Sequence, residues 1–223
     1  RRARIFEYGR TFARDGDGYA QPVRIGGLAF GPALPEQWGT PTRGVDFFDV
    51  KAEVAALFAH ARLATPRAAH PALHPGRSAH VIVDARTIGV LGELHPRVVR
   101  HFELPAPAVY FEIDAASAEA SAVPTATMAA RTPVVRRDLA VVVDETVAAA
   151  DILAAARSAA APFVGAITLF DVYRGPGVGA GRKSLAILVL MQDTARTLTD
   201  AEIDAAMRDI TRALVDRCGG TLR

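Results

Sequence analysis

The order of strands and helices predicted for residues 131–223 limits the fold of this chain more than any other feature. Alternating apolar residues predict three strands, and helical propensity predicts a helix after the first; the strands cover 138–144, 167–174 and 184–192, and the helix covers 148–160. Thr199 and Glu202 have the spacing of a capping box, which begins a second helix, and Gly219-Gly220 ends it. Residues 221–223 then supply a short edge strand.

This order, β-α-β-β-α-β, is the split βαβ pattern of ferredoxin-like domains, in which both helices cover one face of the sheet. Strand alternation predicts that the helix-facing residues are Ile167, Leu169, Leu185, Ile187, Val189 and Met191. The opposite face then carries Thr168, Phe170, Val172 and Arg174 from the second strand, and Ser184, Ala186, Leu188, Leu190 and Gln192 from the third. A face this apolar needs a cover or a partner.

The first part of the chain, residues 1–118, has a different pattern. Glycine and proline separate short apolar runs, which predict strands at 23–30, 79–84, 87–93 and 108–113. We expect the second and third of these strands to form a hairpin with Ala85-Arg86 at its turn. Asp46 is placed to cap a helix that continues through Val50 and Val54, because its carboxylate can accept from free N–H groups in the first turn.

Residues 119–130 are mostly Ala, Ser, Thr and Pro without periodicity, which predicts a linker. The expected fold class is therefore α+β, with an antiparallel core region over residues 1–118 and a ferredoxin-like domain over residues 131–223.

Composition limits the possible partners. The 26 basic and 24 acidic residues give a net charge of +2, spread evenly at +1 on each side of residue 130. General coating of a polyanion is excluded, so any contact with nucleic acid must come from local clusters. A single cysteine, Cys218, excludes an internal disulfide and a cysteine-built zinc site. The chain has no apolar run long enough for a bilayer and begins at Arg1, which predicts a cytoplasmic piece of a longer protein without a membrane partner.

No catalytic or metal site is predicted. Arg182 separates Gly181 from Lys183, so the glycine-rich segment that begins at Gly175 lacks the spacing of a phosphate-binding loop, and a strand follows it where a helix is required. His70 and His74 have the spacing of zinc ligands on a helix, but each precedes a proline that prevents that helix, so they are interpreted as turn residues. Nothing in the residues themselves calls for a cofactor.

Two basic clusters flank the predicted sheet beside an exposed aromatic residue. The first cluster is Arg131, Arg136 and Arg137, and the second is Arg174, Arg182 and Lys183, beside Phe170. Cations that meet phosphates next to an aromatic that stacks on an unpaired base suit single-stranded RNA. The alternative is a solvated basic rim without a ligand.

Longer segments of the chain carry a resemblance to a known family. Four of them closely resemble the ferredoxin-fold anticodon-binding domain that ends the β subunit of bacterial phenylalanine–tRNA ligases: 133–144 (PVVRRDLAVVVD), 169–175 (LFDVYRG), 183–186 (KSLA) and 196–200 (RTLTD). Four others are similar to the preceding region of the same subunit: 5–9 (IFEYG), 46–51 (DFFDVK), 70–78 (HPALHPGRS) and 91–96 (LGELHP). The resemblance covers nearly the whole chain in the family's order.

The resemblance implies that residues 1 to about 118 are the latter part of a class II synthetase-like core that does not catalyse. The α subunit of an α2β2 assembly would hold the ATP and phenylalanine site, and ATP and magnesium would serve the whole enzyme but not this piece. Arg4-Ile-Phe-Glu7 is similar to the Arg-x-x-Glu of the second class II motif, although the glycine-rich third motif ending in arginine is missing. Residues 131–223 would bind the anticodon stem-loop of tRNA(Phe), not DNA.

Other interpretations remain open at this point. Leu188 and Leu190 are less polar than an RNA-binding face usually is, so this face could pack on another domain while the basic rim binds. A ferredoxin-like domain can also be a regulatory module that binds a small anionic molecule, because fold alone does not decide function. A third interpretation is a pure subunit-assembly module.

Overall fold

The computed structural model describes residues 1–58, 63–119 and 129–223. The chain divides into two compact units, Arg1–Thr125 and Ala126–Arg223. The division falls within the predicted linker 119–130, of which residues 120–128 lie outside the described residues.

The first unit is built on an antiparallel sheet of six strands. Its elements in chain order are β1 (Ala3–Arg10), β2 (Ala13–Asp15), β3 (Gly18–Ala20), β4 (Val23–Phe30), α1 (Phe47–Leu57), β5 (Leu63–Ala64), β6 (Leu73–Val83), β7 (Arg86–Leu94), α2 (Pro96–His101), β8 (Ala108–Asp114) and α3 (Ala115–Glu119). The strand order is β1-β4-β8-β7-β6-β5, and β2 and β3 form a separate hairpin. The predicted antiparallel core region is confirmed.

Helix α1 begins where the sequence predicts. Asp46 Oδ1 accepts from the N–H groups of Phe48 and Asp49 at 2.8 and 3.1 Å, and the Asp49 carboxylate accepts from the Asp46 N–H at 2.9 Å. This reciprocal box satisfies donors that the first turn leaves free. Val50 and Val54 are each 1% exposed and join the buried core of the sheet.

The hairpin of β6 and β7 turns one residue earlier than predicted. Val83 pairs with Arg86, so the two turn residues are Asp84 and Ala85, with φ of +46° and +67°. Two successive residues with positive φ are typical of the turn whose twist matches a two-residue hairpin. The prediction of Ala85-Arg86 is wrong because Arg86 belongs to the strand ladder.

The second unit has the predicted β-α-β-β-α-β order. Its elements are β9 (Val135–Asp144), α4 (Ala149–Ser158), β10 (Val164–Tyr173), β11 (Arg182–Met191), α5 (Asp200–Cys218) and β12 (Thr221–Leu222). The strands are antiparallel in the order β10-β11-β9-β12. Thr199 and Glu202 form the predicted capping box of α5, and Gly219 ends the helix in the left-handed conformation at φ +60°. The ferredoxin-like fold is confirmed.

Both helices of the second unit contribute to one core on one face of the sheet. The predicted helix-facing residues of β11 are all 1% exposed or less: Leu185, Ile187, Val189 and Met191. Ile210 and Leu214 of α5 and Ile152 of α4 are fully buried in the same core. The other face of the sheet therefore lacks a helical cover from the described residues.

A β-bulge in β10 changes which residues reach that open face. Leu169 pairs with Ile187, but Asp171 pairs with Ala186, so Phe170 is an extra residue in the ladder. Beyond the bulge, Val172 pairs with Leu185 in the helix-facing row. The prediction that Val172 lies on the open face is therefore wrong, because the extra residue shifts the alternation by one position.

Candidate nucleic-acid interface

The open face is apolar at its centre and charged at one end of β9. Strand register places Arg136 opposite Leu190 and Asp138 opposite Leu188. Both leucines are half-buried. In the same row, Ser184 is only 5% exposed.

Arg136 and Arg137, predicted as one cluster, lie on opposite faces of the sheet. Arg136 shares the row of Leu190, whereas Arg137 pairs with the helix-facing Val189. Arg136 contacts the Asp138 carboxylate through Nε at 3.2 Å, and Arg137 donates to the Arg136 carbonyl at 3.0 Å. The structure therefore brings only Arg136 of this pair to the open face.

Arg182 and Lys183 are divided in the same way. The Arg182 side chain is in the open-face row and donates to the Val142 carbonyl at 3.0 Å and to the Thr221 hydroxyl at 3.3 Å. Lys183 is 8% exposed, and its ammonium donates to the Glu145 carbonyl at 2.8 Å. This position makes Lys183 part of the support of the glycine-rich loop and does not favour a phosphate contact.

Arg174 begins the glycine-rich loop and forms a side-on ion pair. Its Nε lies 3.0 and 3.1 Å from the two carboxylate oxygens of Glu145, and its Nη2 lies 2.7 Å from one of them. The hydrogen bond to Arg174 lowers the pKa of the Glu145 carboxyl, and the same bond raises the pKa of Arg174. A cleft of about 570 Å³ beside this pair is lined by the glycines of the loop and by Arg182.

Arg131 precedes β9 and is exposed. The next residue, Thr132, is fixed to the far end of β11, because its carbonyl accepts from Gln192 Nε2 at 2.7 Å and its hydroxyl donates to the Asp193 carbonyl. Arg131 therefore leaves an anchored point of the backbone at the same end of the sheet as Arg136.

The open face carries two aromatic residues, Phe170 and Tyr173, where the sequence predicts only Phe170. Phe170, in the bulge, is 53% exposed, as expected for a side chain available to stack. Asp171 and Tyr173, which sequence reasoning missed, take the open-face positions opposite Ala186 and Ser184. The guanidinium of Arg223 lies 5.2 Å from the centre of the Tyr173 ring. No local signal in the sequence marks the bulge that brings Tyr173 to this face.

The Arg-x-x-Glu segment of the first unit, Arg4 to Glu7, lies in strand β1. Arg4, of the Arg-x-x-Glu segment, forms an ion pair with Glu53 and donates to the Ala33 carbonyl at 3.1 Å. This arginine is therefore committed to internal contacts.

Of the two histidines predicted as turn residues, His70 precedes a turn at Pro71-Ala72, as predicted, whereas His74 lies within β6, at an irregularity of its register, so the prediction is wrong for His74. Nδ1 of His70 accepts from the Ala72 N–H, and Nδ1 of His74 accepts from the Gly76 N–H. Within the described ranges, three or more His, Cys, Asp or Glu side chains nowhere come together in a way that could hold a metal ion. The described helices also include none with the length and apolarity to cross a membrane.

Comparison with known sequences identifies the family. Residues 1–115 match the family described as "Phenylalanyl tRNA synthetase beta chain CLM domain", and residues 130–223 match "Ferredoxin-fold anticodon binding domain". The chain belongs to the phenylalanyl-tRNA synthetase beta chain family. Both matches agree with the resemblance found in the sequence motifs and with the two units of the structure.

Individual family members are similar over the whole chain. This chain is 51% identical over 222 residues to the phenylalanine–tRNA ligase beta subunit of Thiobacillus denitrificans. It is 47% identical over 227 residues to the corresponding subunit of Aromatoleum aromaticum. The corresponding subunit of Chromobacterium violaceum is 48% identical over 222 residues. Each alignment covers all of this chain but only 28% or 29% of the relative, so the chain spans less than a third of the length of these family members.

Proposed function

We propose that the second unit binds the anticodon stem-loop of tRNA(Phe) through its open sheet face, within a cytoplasmic phenylalanine–tRNA ligase of α2β2 composition. In this proposal the α subunit performs the ATP- and magnesium-dependent chemistry, and the present chain contributes binding and scaffold. The match of residues 130–223 to the anticodon-binding family carries the proposal.

The chemistry of the open face supports this proposal. Phe170 and Tyr173 offer aromatic rings on which unpaired bases can stack. Arg131 and Arg136 place guanidinium groups at the Leu190 end of the face and Arg182 places one at the other end, and a guanidinium fork suits a phosphate. The half-buried leucines of β11 give the face an apolar floor, on which a base can lie flat.

Filter binding with the isolated anticodon stem-loop tests the proposal. The Arg136→Glu/Arg137→Glu variant should bind more weakly than the wild type, and the dependence of log K on log salt should flatten by about 0.7–0.9 for each lost phosphate contact. The single variants serve as matched controls, because Arg137 lies on the other face. Unchanged binding by both single variants and the double variant at low and moderate salt would remove these residues from the RNA surface.

The exposed apolar residues of the first unit favour a second role, assembly with the α subunit. β1 is an edge strand, on which Ile5 and Phe6 are 65% and 80% exposed, and Phe12 and Tyr19 follow in the neighbouring hairpin at 68% and 70%. Large exposed apolar side chains at and beside an edge strand are typical of a protein interface. Size-exclusion chromatography of the chain mixed with an α subunit should show a complex, and Phe6→Glu should abolish it.

A further inference from the structure

Two arginines, Arg174 and Arg182, line the cleft beside the glycine-rich loop, and only Arg174 is hydrogen-bonded to a carboxylate. Arg174 forms three contacts of 2.7–3.1 Å with the Glu145 carboxylate, so its charge is balanced at short range. Arg182 donates to a carbonyl and a hydroxyl, which are uncharged. The Asp144 carboxylate, opposite Arg182 in the ladder, accepts from the Thr146 hydroxyl and N–H, which lower its pKa, and the charge of Arg182 lowers that pKa further without a hydrogen bond between the two side chains.

Main-chain contacts fix Glu145 in place independently of its side chain. Its N–H donates to the Gly181 carbonyl at 2.8 Å, and its carbonyl accepts from the Lys183 ammonium at 2.8 Å. These bonds hold the far end of the loop, while the carboxylate holds Arg174 at the near end. Because the backbone contacts survive a change of the side chain, the carboxylate is available for a role other than folding.

The side-on pairing leaves part of the Arg174 guanidinium free. Nε and Nη2 face Glu145, so the donors of Nη1 and the second donor of Nη2 are not used by that carboxylate. A phosphate at this free edge would stand close to the Glu145 carboxylate and be repelled by it, whereas a neutral acceptor would not. The cleft offers such an acceptor room and a surface of exposed loop backbone.

We propose that Glu145 is a specificity residue of the RNA site: by neutralising Arg174 it directs that arginine to an uncharged acceptor of the RNA, a base edge or a ribose hydroxyl, and away from phosphate. This inference rests on the proposed function. Arg182, in the same cleft and without a carboxylate partner in its hydrogen bonds, takes a phosphate. In the site, Arg182 therefore binds the RNA backbone regardless of sequence, and Arg174 distinguishes among uncharged groups of the RNA.

The salt dependence of binding separates the two arginines. With the 223-residue chain and a fluorescent anticodon stem-loop, Arg182→Gln should flatten the salt slope by about 0.7, as expected for one lost phosphate contact. Arg174→Gln should weaken binding by about tenfold with no change of slope. Arg174→Lys should lose nearly as much affinity, because an ammonium cannot hold the carboxylate side-on and also present a second edge.

Removal of the carboxylate tests Glu145 itself. Glu145→Gln should steepen the slope by about 0.7 and strengthen binding to oligouridylate more than binding to the stem-loop, because Arg174 becomes a free cation. In the Arg174→Gln background the same change should leave the slope as it is. Stem-loops with 2′-deoxy sugars or with abasic sites in the loop distinguish the two acceptors. If Arg174 contacts a ribose hydroxyl, Arg174→Gln should no longer weaken binding of the 2′-deoxy stem-loop; if it contacts a base edge, the same should hold for the abasic stem-loop.

The outcomes distinguish this inference from the proposed function. A slope that flattens equally for Arg174→Gln and Arg182→Gln, or an affinity retained by Arg174→Lys, would show that Arg174 contacts phosphate and would overturn the inference alone. Binding of both modified stem-loops that is still weakened by Arg174→Gln as much as binding of the unmodified stem-loop would do the same. Failure of the wild type to bind the stem-loop at any salt concentration would overturn the proposed function together with the inference. Circular dichroism of each variant confirms that the fold is kept.

Discussion

The capping box of α5 allows a quantitative test of how this helix is held. The Thr199 hydroxyl accepts from the Glu202 N–H at 3.4 Å and donates to the Glu202 carboxylate at 2.8 Å, and the Thr199 N–H donates to that carboxylate at 2.9 Å. Thr199→Ala removes only the hydroxyl contacts. Loss of an N-cap side chain costs about 1 kcal/mol, which corresponds to about a fivefold change in the opening equilibrium.

Hydrogen exchange measures this change within the second unit alone. Amides of the buried face of α5, such as those of Ile210 and Leu214, should exchange about fivefold faster in Thr199→Ala at neutral pH. Thr197→Ala is the matched control, because Thr197 is exposed and lies two residues before the cap. Equal exchange rates in Thr199→Ala and Thr197→Ala would refute the assignment of the cap.

The same box predicts a pH dependence. The Arg196 guanidinium, followed by the N–H and hydroxyl of Thr199, holds the pKa of the Glu202 carboxyl well below its usual range. Stability from a depressed carboxyl pKa is present above the pKa of the unfolded chain and is lost as the pH falls toward the folded value. Glu202→Gln should therefore exchange faster than the wild type at pH 7, and the ratio of rates should begin to fall below about pH 4 and keep falling as the pH approaches the folded value. A ratio that stays constant down to pH 3 would contradict this reasoning.

Three further changes test other parts of the fold. Gly89→Ala should prevent the first unit from folding, because the added Cβ would lie 1.9 Å from the Glu112 carbonyl oxygen; a wild-type thermal midpoint would refute this. The hydrogen bond from Arg43 lowers the pKa of Asp49 to about 2, so Asp49→Asn should reduce the urea midpoint above about pH 4 and lose its effect as the pH falls toward 2. Ala148 caps α4 without a side-chain hydrogen bond, so Ala148→Thr should slow exchange in that helix by a few fold, and faster exchange would contradict the prediction.

The elements of the second unit were predictable because their signals are local. The capping box at Thr199, the glycine at Gly219 and the alternation of β11 each depend on residues within a few positions of one another. The opposite placement of Arg136 and Arg137 follows from the same alternation, so the sequence contained the information that divides this cluster.

The details of the site were not predictable, because they depend on contacts between residues that are far apart along the chain. The bulge at Phe170 is a property of the pairing between β10 and β11, and it decides that Tyr173 and not Val172 reaches the open face. The burial of Lys183 depends on the carbonyl of Glu145, which is 38 positions away along the chain. Contacts across strands of this kind appear only once the register is known.

Methyl NMR of the chain during titration with the anticodon stem-loop tests the central claim most directly. The claim is that RNA lies on the open face of the β10-β11-β9-β12 sheet. The methyl groups of Leu188 and Leu190 should then shift on binding, while those of Leu185 and Ile187, on the same strand but buried against the helices, should stay in place. Shifts confined to Leu185, Ile187 and the helices, with Leu188 and Leu190 unchanged, would contradict it.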